Sequence, residues 1–527
     1  MKKKLKLDSQ QVKEAILSGL KRLKDAVAPT LGPLGKLVLL DRLTMFPQAT
    51  KDGATVAREI ESEDKLEDLA IRVCREISMR TEEEAGDGTT TSIILAEALV
   101  RKGFELIGNG NIHYHHFKRQ LERSLKIVLE SLEHHSKKHL SDADIKSIIR
   151  VSSNYDEDLV NLISKAIEKT NRHGALLIEE ARGLETSVDI VQGFSYDKGP
   201  LSPYFYTNPQ KELTEYADSA VLMIKGRLDV SEKLIKVLGY CGANNLPLLV
   251  VADEISPEAL TMLVINKVQG GLKFVATQLP YHGDRHWSIF DDLAAVTGGQ
   301  ILDSHSLSLL EPESLGRAKR IVLSKKRTVV VAHEDRDIYI EQQCQLIGER
   351  GQKETSSFML AHLKERLGRL RGGVAVLRIG APTELEMREK KDRAADAYLA
   401  ARSAIESGSS IGGGYSYYRE HLDITRHNMV PGDEALGKAL IAPLEQLRIN
   451  AGMDERFLIE LASKGKVFNM RTSLSEKISE TEVLDSTKVL MSALENAVSI
   501  ATILLNVGSA VVYEGEEAIR KELESDD

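Results

Sequence analysis

The stretch Glu84-Ala85-Gly86-Asp87-Gly88-Thr89-Thr90-Thr91 decides how this chain is read. Two glycines flank one carboxylate, three hydroxyls follow, and an apolar helical run, Ser92-Ile93-Ile94-Leu95-Ala96-Glu97-Ala98-Leu99-Val100, begins at once. Glycine lets a backbone close on a ligand. A helix start offers unpaired N–H groups and the positive end of a dipole, which suits phosphate. Asp87 supplies a hard oxygen for a metal ion, and threonine hydroxyls can bond phosphate oxygens or water. The stretch therefore reads either as a site for a nucleoside triphosphate held through Mg²⁺ or as a polar turn capping a helix. It is not a Walker loop, since G-x-x-x-x-G-K-[ST] occurs nowhere in the chain.

The chain has 527 residues, too many for one core, so two to four domains are expected. A net charge of −9 argues against a general nucleic-acid binder. The basic start Met1-Lys2-Lys3-Lys4 runs into Leu5-Lys6-Leu7-Asp8 with no apolar signal core, so export is not expected. No apolar stretch reads as long enough to span a bilayer, so no membrane partner is expected either. Cys74, Cys241 and Cys344 are scattered and fit a reducing cytosol, and the localisation expected is cytoplasmic.

Periodicity places a helix over about 9–28 (Val12, Ile16, Leu20, Leu23, Val27), stopped by Pro29-Thr30-Leu31-Gly32-Pro33. Val38-Leu39-Leu40 reads as a short buried strand, and Thr50-Lys51-Asp52-Gly53 as a polar turn into another helix. Helical patterns continue to about 136, with a helix near 156–170 and a strand at Ala175–Ile178 after them. The middle changes texture. Ala220–Ile224, Pro247–Ala252 and Phe274–Thr277 are β-rich runs alternating with helical patterns at 231–243 and 257–269, which implies an α/β domain. A charged helix pair spans 338–370, a strand follows at Val374–Leu377, and the chain beyond Glu384 reads as largely helical. The pattern predicts a multi-domain α+β protein in which a central domain is inserted into a helical one built from both chain ends.

Taken together, the motifs stop being independent. Thr30-Leu31-Gly32-Pro33-x-Gly35, Lys51-Asp52-Gly53, Gly86-Asp87-Gly88-Thr89-Thr90-Thr91, Asp396-Ala397…Arg402, Gly412-Gly413-Gly414 and Leu484-Asp485-x-Thr487-Lys488-Val489 stand in order along the chain. So do Asp197-x-Gly199-x-Leu201-Ser202-Pro203-Tyr204-Phe205 and Glu384-x-Glu386-Met387-x-Glu389-Lys390-Lys391. In order and spacing this set resembles the group I (GroEL-like) bacterial chaperonins, from about residue 10 to about 515. The resemblance implies a chaperonin fold. A mostly helical equatorial domain would join 1–135 with 407–527, and a small intermediate domain 136–191 with 374–406. An inserted α/β apical domain would span 192–373, with hinges at Gly193 and Gly373.

The resemblance also implies a function: an ATPase coupled to protein folding, which binds non-native polypeptides in a ring chamber. Thr30, Leu31, Gly32 and Pro33 resemble the loop around the phosphates. Asp87 resembles the Mg²⁺ ligand, and Gly88, Thr89, Thr90 and Thr91 the rest of the phosphate clamp. Thr30, Lys51 and Thr90 match positions around a K⁺ ion. Gly413 resembles the residue beneath the nucleoside, and Asn469, Met470 and Asp485 the adenine and ribose contacts. Asp52 and Asp396 are the carboxylates expected to act on the attacking water, Asp396 reaching the nucleotide when the subunit closes. Tyr204, Phe205, Ile235, Leu238, Leu260, Val264 and Ile265 are expected to form the client surface, shared with a ring-shaped co-chaperonin, while Leu263 reads as core. The assembly implied is a homo-oligomer of two stacked seven-membered rings.

Departures from the family pattern are local. Ser486 stands where the family has proline, Pro200 where it has tyrosine, and Tyr415-Ser416-Tyr417-Tyr418 where it has small apolar residues. Arg150-Val151-Ser152-Ser153-Asn154 lacks the usual Gly-Thr, and the acidic end Glu514–Asp527 replaces Gly-Gly-Met repeats. These changes motivate a second reading, a chaperonin paralogue with weak or no ATPase that holds clients as a small oligomer. His113-x-His115-His116 is weak evidence for zinc.

Overall fold

In this computed structural model the described residues are 4–6, 9–41, 48–108, 110, 112–170, 172, 174–181, 183–209, 212–280, 284–303, 310–354, 356–426, 429–454, 456–478 and 480–513. The acidic end Glu514–Asp527 lies outside them. Two compact units result, one from residues 1–164 with 381–527, the other from 165–380. The segments assigned above to an intermediate domain are thus divided between the two.

The discontinuous unit is helical because its apolar residues recur at helical spacing. Ser9–Val27 buries Val12, Ile16, Leu20, Leu23 and Val27 along one face. Lys65–Ala85, Thr89–Gly108, Tyr114–His134, Pro431–Asn450 and Thr487–Leu504 pack with it around a core of Leu95, Leu99, Phe117, Leu121, Leu440, Leu494 and Ala497. Thr487–Leu504 corrects one expectation: it is long and apolar enough to cross a bilayer. Most of it is buried in this unit, so its apolarity is that of a central core helix. The Val38–Leu40 strand pairs antiparallel with Gln48–Thr50, but its middle residue, Leu39, is exposed and only Leu40 is buried. The chain beyond Glu384 is less uniformly helical than its periodicity predicts. Ser409–Ile411 pairs with Leu484–Ser486, and Lys466–Asn469 forms a hairpin with Leu474–Lys477.

The continuous unit is built on a seven-stranded sheet. Leu213–Leu228, Leu248–Ile255 and Phe274–Gln278 run parallel, linked by the helices Glu232–Ala243 and Pro257–Val268. This is the expected α/β half, and its runs 220–224, 248–252 and 274–276 are buried and continuously apolar, as strands covered on both faces are. The other half is antiparallel and was not expected: Gly316–Ser324 and Arg327–Val331 form a hairpin across Lys325-Lys326, next to Gly193–Tyr196. A separate three-stranded sheet joins Ala175–Glu180, Val374–Ile379 and Ser187–Val191. The two glycines named as hinges sit in tight backbone. A Cβ on Gly193 would lie 2.6 Å from the Val330 carbonyl oxygen, and Gly373 has φ +59° where the Ser357–Gly372 helix ends.

The burial of the client residues is uneven. Tyr204, Ile235 and Ile265 are exposed, and Leu260 and Val264 are partly buried against the core. Phe205 and Leu238 are corrections to the expected surface, since both are buried. The Glu232–Ala243 helix turns Leu234, Val237, Leu238 and Cys241 inward, which leaves Ile235 outside. Leu263 is core, as its spacing predicts, and Val268 adds exposed apolar area. Ile235→Ser is expected to cost within about 0.5 kcal/mol of stability, whereas Leu238→Ala is expected to cost about 2–5 kcal/mol. Urea unfolding of the two variants measures the difference.

Candidate functional site

Every element bearing a motif from the discontinuous unit meets at one cavity of about 290 Å³. The wall includes Thr30, Leu31, Gly32, Pro33, Lys51, Asp52, Asp87, Gly88, Thr89, Thr90, Thr91, Asp396, Gly413, Met470 and Asp485. Asn469 is not in the wall. Its buried amide closes the hairpin instead, accepting from the Arg471 and Thr472 N–H groups and donating to Glu476 at 2.9 Å.

The phosphate-type loops are shaped by positive φ and by close approach. Gly32, Gly86, Gly88, Gly413 and Gly414 all have φ between 63° and 87°, conformations that L side chains rarely adopt. Gly53 is needed for space: a Cβ there would lie 2.0 Å from the Thr90 hydroxyl. The Thr30 and Thr90 hydroxyls are 3.3 Å apart, and Thr30 also donates to the Val27 carbonyl at 2.8 Å.

The carboxylates have different surroundings. Asp52 caps the Gly53–Glu59 helix, its side chain accepting from the Ala54 and Thr55 N–H groups at 3.0 and 2.8 Å. Asp87 accepts from the Gly88 N–H and, at 3.2 Å, from the Ser152 hydroxyl. Burial pushes the Asp87 carboxyl up, these two bonds oppose the shift, and Asp52 adds to it. Asp396 lies on the Glu384–Ser407 helix and already stands in the cavity wall. Burial drives its carboxyl well above the usual range, with Asp52, Asp87, Glu82 and Asp392 pushing the same way. Asp485 is pushed up to about 7 by burial, then by Asp87, against a hydrogen bond from the Gly413 N–H. Burial also pulls the Lys51 ammonium down, with Glu389 opposing and Arg393 reinforcing the shift.

Burial first and neighbouring carboxylates second raise the pKa of Asp87, Asp396 and Asp485. A hard divalent cation suits such an oxygen set. Among the described residues no group of three or more His, Cys, Asp or Glu is arranged to hold a metal ion alone. His113 has a different task, capping the Tyr114–His134 helix by accepting from the His115 N–H.

Several wall residues escaped sequence reasoning: Ser152, Tyr155, Glu389, Arg393 and Phe468. For Ser152 a signal existed, since it lies in the segment that departs from the family pattern. Two departures also have clear local roles. The Tyr415 hydroxyl accepts from the Phe468 N–H at 2.8 Å, which fixes the hairpin end at the cavity. The Ser486 hydroxyl meets that of Ser403 at 2.9 Å, tying the helix of Asp396 to the strand of Asp485.

The fold with this cavity is that of a chaperonin subunit. The model of the TCP-1/cpn60 chaperonin family matches residues 23–238 and 242–514, and the chain belongs to that family. Among solved structures it is similar to the chaperonin gp146 from the bacteriophage EL 2 (Pseudomonas aeruginosa), crystallised in the presence of ATP-BeFx. In crystal form II the identity is 22%, with 97% of this chain and 99% of that one covered at a TM-score of 0.72. In crystal form I the identity and coverage are the same and the TM-score is 0.62.

Proposed function

We propose that this chain is the subunit of an ATP-dependent chaperonin of the group I type, which binds non-native polypeptides and promotes their folding. The observation that carries this reading is the convergence of Asp52, Asp87 and Asp396 on one glycine-walled cavity with Thr30 and Thr90. Backbone N–H groups of the Thr30–Pro33 loop and of Gly88–Thr91 bind the phosphates, and Gly413, Met470 and Asp485 hold the nucleoside. Asp87 is the carboxylate for Mg²⁺, with Thr30, Lys51 and Thr90 around K⁺. Cations held by these residues would supply positive charge opposite the charge developing on the phosphates. Asp396 and Asp52 accept hydrogen bonds from the attacking water and orient it. Because Asp52 also caps a helix, Asp396 is the better placed of the two to act as base. Within a three-part subunit, Asp396 comes onto the nucleotide as the subunit closes, so that hydrolysis is gated by closure, and Gly193 and Gly373 are the hinges of the apical domain.

Tyr204, Ile235 and Ile265, with Leu260 and Val264 at their edge, form the apolar surface for clients and for the co-chaperonin. The assembly is a double ring of seven-membered rings in the cytoplasm.

The test is the size of the purified protein with and without ATP, together with phosphate release and refolding of a denatured client. A large particle that turns ATP over and rescues the client supports the reading. A small oligomer without turnover overturns it and favours a client-holding paralogue.

A further inference from the structure

The turn between the Asp142–Ser152 and Glu157–Lys169 helices holds two consecutive non-glycine residues in the left-handed region, Asn154 (φ 54°) and Tyr155 (φ 64°). A bulky side chain is rarely found there, and such residues gather at functional sites. The turn is nevertheless well anchored: the Tyr155 N–H donates to the Arg150 carbonyl at 2.8 Å, and the Ser153 N–H to the Ile149 carbonyl at 2.8 Å. Its two ends reach the same cavity. Ser152 bonds Asp87 at the phosphate end, while Tyr155 stands in the wall with Phe468 and Met470. The Arg471 guanidinium lies over the Tyr155 ring, 5.5 Å from its centroid. The ring is half-buried, and its hydroxyl shares its surroundings with Glu476, Arg150, Arg471 and Asp485. Tyr155 is therefore a large π-face, held in a strained backbone, at the end of the cavity marked by Asp485.

We propose that Tyr155 is a nucleobase-binding residue, whose ring stacks on the base of the bound nucleotide opposite Phe468 and Met470. The proposal rests on the ATP reading of the cavity and assigns this chain's own aromatic residue to it. An aromatic platform binds a flat heterocycle through dispersion and quadrupole contact. Arg471 holds the ring by a cation–π contact. The strained turn orients the ring before the ligand arrives, so that less ordering is left to the binding step.

The experiment is calorimetric titration of the full-length protein with Mg-ATP and, separately, with inorganic tripolyphosphate. Tyr155→Ser is expected to weaken ATP binding by about 5- to 100-fold, the range for loss of one base–aromatic stack, and to leave tripolyphosphate binding unaltered. Tyr155→Phe, which keeps the ring, is expected to recover the affinity lost in Tyr155→Ser. Equal ATP affinity in the wild type and Tyr155→Ser would overturn the proposal. So would equal weakening of both ligands, which would mark Tyr155 as a support for the turn. If the wild-type protein binds neither ligand, the ATP reading itself falls, a result distinct from either of these.

Discussion

Asp396→Ala is expected to slow ATP turnover by roughly two orders of magnitude or more, a typical loss for a positioned base. Its affinity for ATP is expected to stay within about threefold of wild type, because the contacts removed are those made in the transition state. The reason is positional. In the proposed binding mode the phosphate contacts come from backbone N–H groups of the glycine loops, which this substitution does not touch. Asp396 contributes an acceptor from another helix, half-buried, whose carboxyl is pushed well above the usual range by burial and by Asp52, Asp87, Glu82 and Asp392. Asp396→Asn separates charge from shape: it keeps the volume and one acceptor oxygen but not the base. Single-turnover phosphate release beside equilibrium ATP binding measures both quantities. Undiminished turnover in either variant would refute the role.

Asp485→Asn is expected to stabilise the nucleotide-free protein while weakening its hold on ATP. The Asp485 carboxyl has its pKa raised from 3.8 to about 7. Between those values the folded chain keeps a proton that the unfolded chain has released. Stability therefore falls as pH rises through that window. At 1.36 kcal/mol per unit the full effect is on the order of 4 kcal/mol, reached above about pH 7. The asparagine removes the titration, so the gain should be largest at pH 8 and fade towards pH 4. Urea unfolding midpoints across that range measure it, and a gain independent of pH would contradict the assignment. ATP affinity should fall about tenfold or more, as expected when a charged acceptor of hydrogen bonds is lost.

Both residues show which parts of the site were legible beforehand. Asp87, Gly88 and Thr89–Thr91 are contiguous, so their chemistry reads directly from the chain. Asp396 and Asp485 are far from them in sequence, and only the ordered motifs of a family resemblance brought them to the same site. Ser152 and Tyr155 carry no motif of their own. Their place at the cavity follows from the packing of the Asp142–Ser152 helix against Glu384–Ser407, a contact that leaves no local periodicity. Asn469 differs from the resemblance-based expectation in placement: its neighbours Phe468 and Met470 reach the cavity while its own amide is turned into the hairpin.

Hydrophobic spacing sets which residues face inward along a single element. The helical discontinuous unit, the βαβ run at 213–278 and the insertion of one unit into the other therefore followed from the sequence itself. What spacing cannot encode is which elements then meet. The antiparallel hairpin at 316–331, the burial of Phe205 and Leu238, and the gathering of carboxyls from four separate segments were decided by tertiary packing. The physical reason is one of range. Backbone hydrogen bonding and side-chain periodicity act over a few residues, whereas desolvation and charge repulsion act between whatever groups the finished fold brings together.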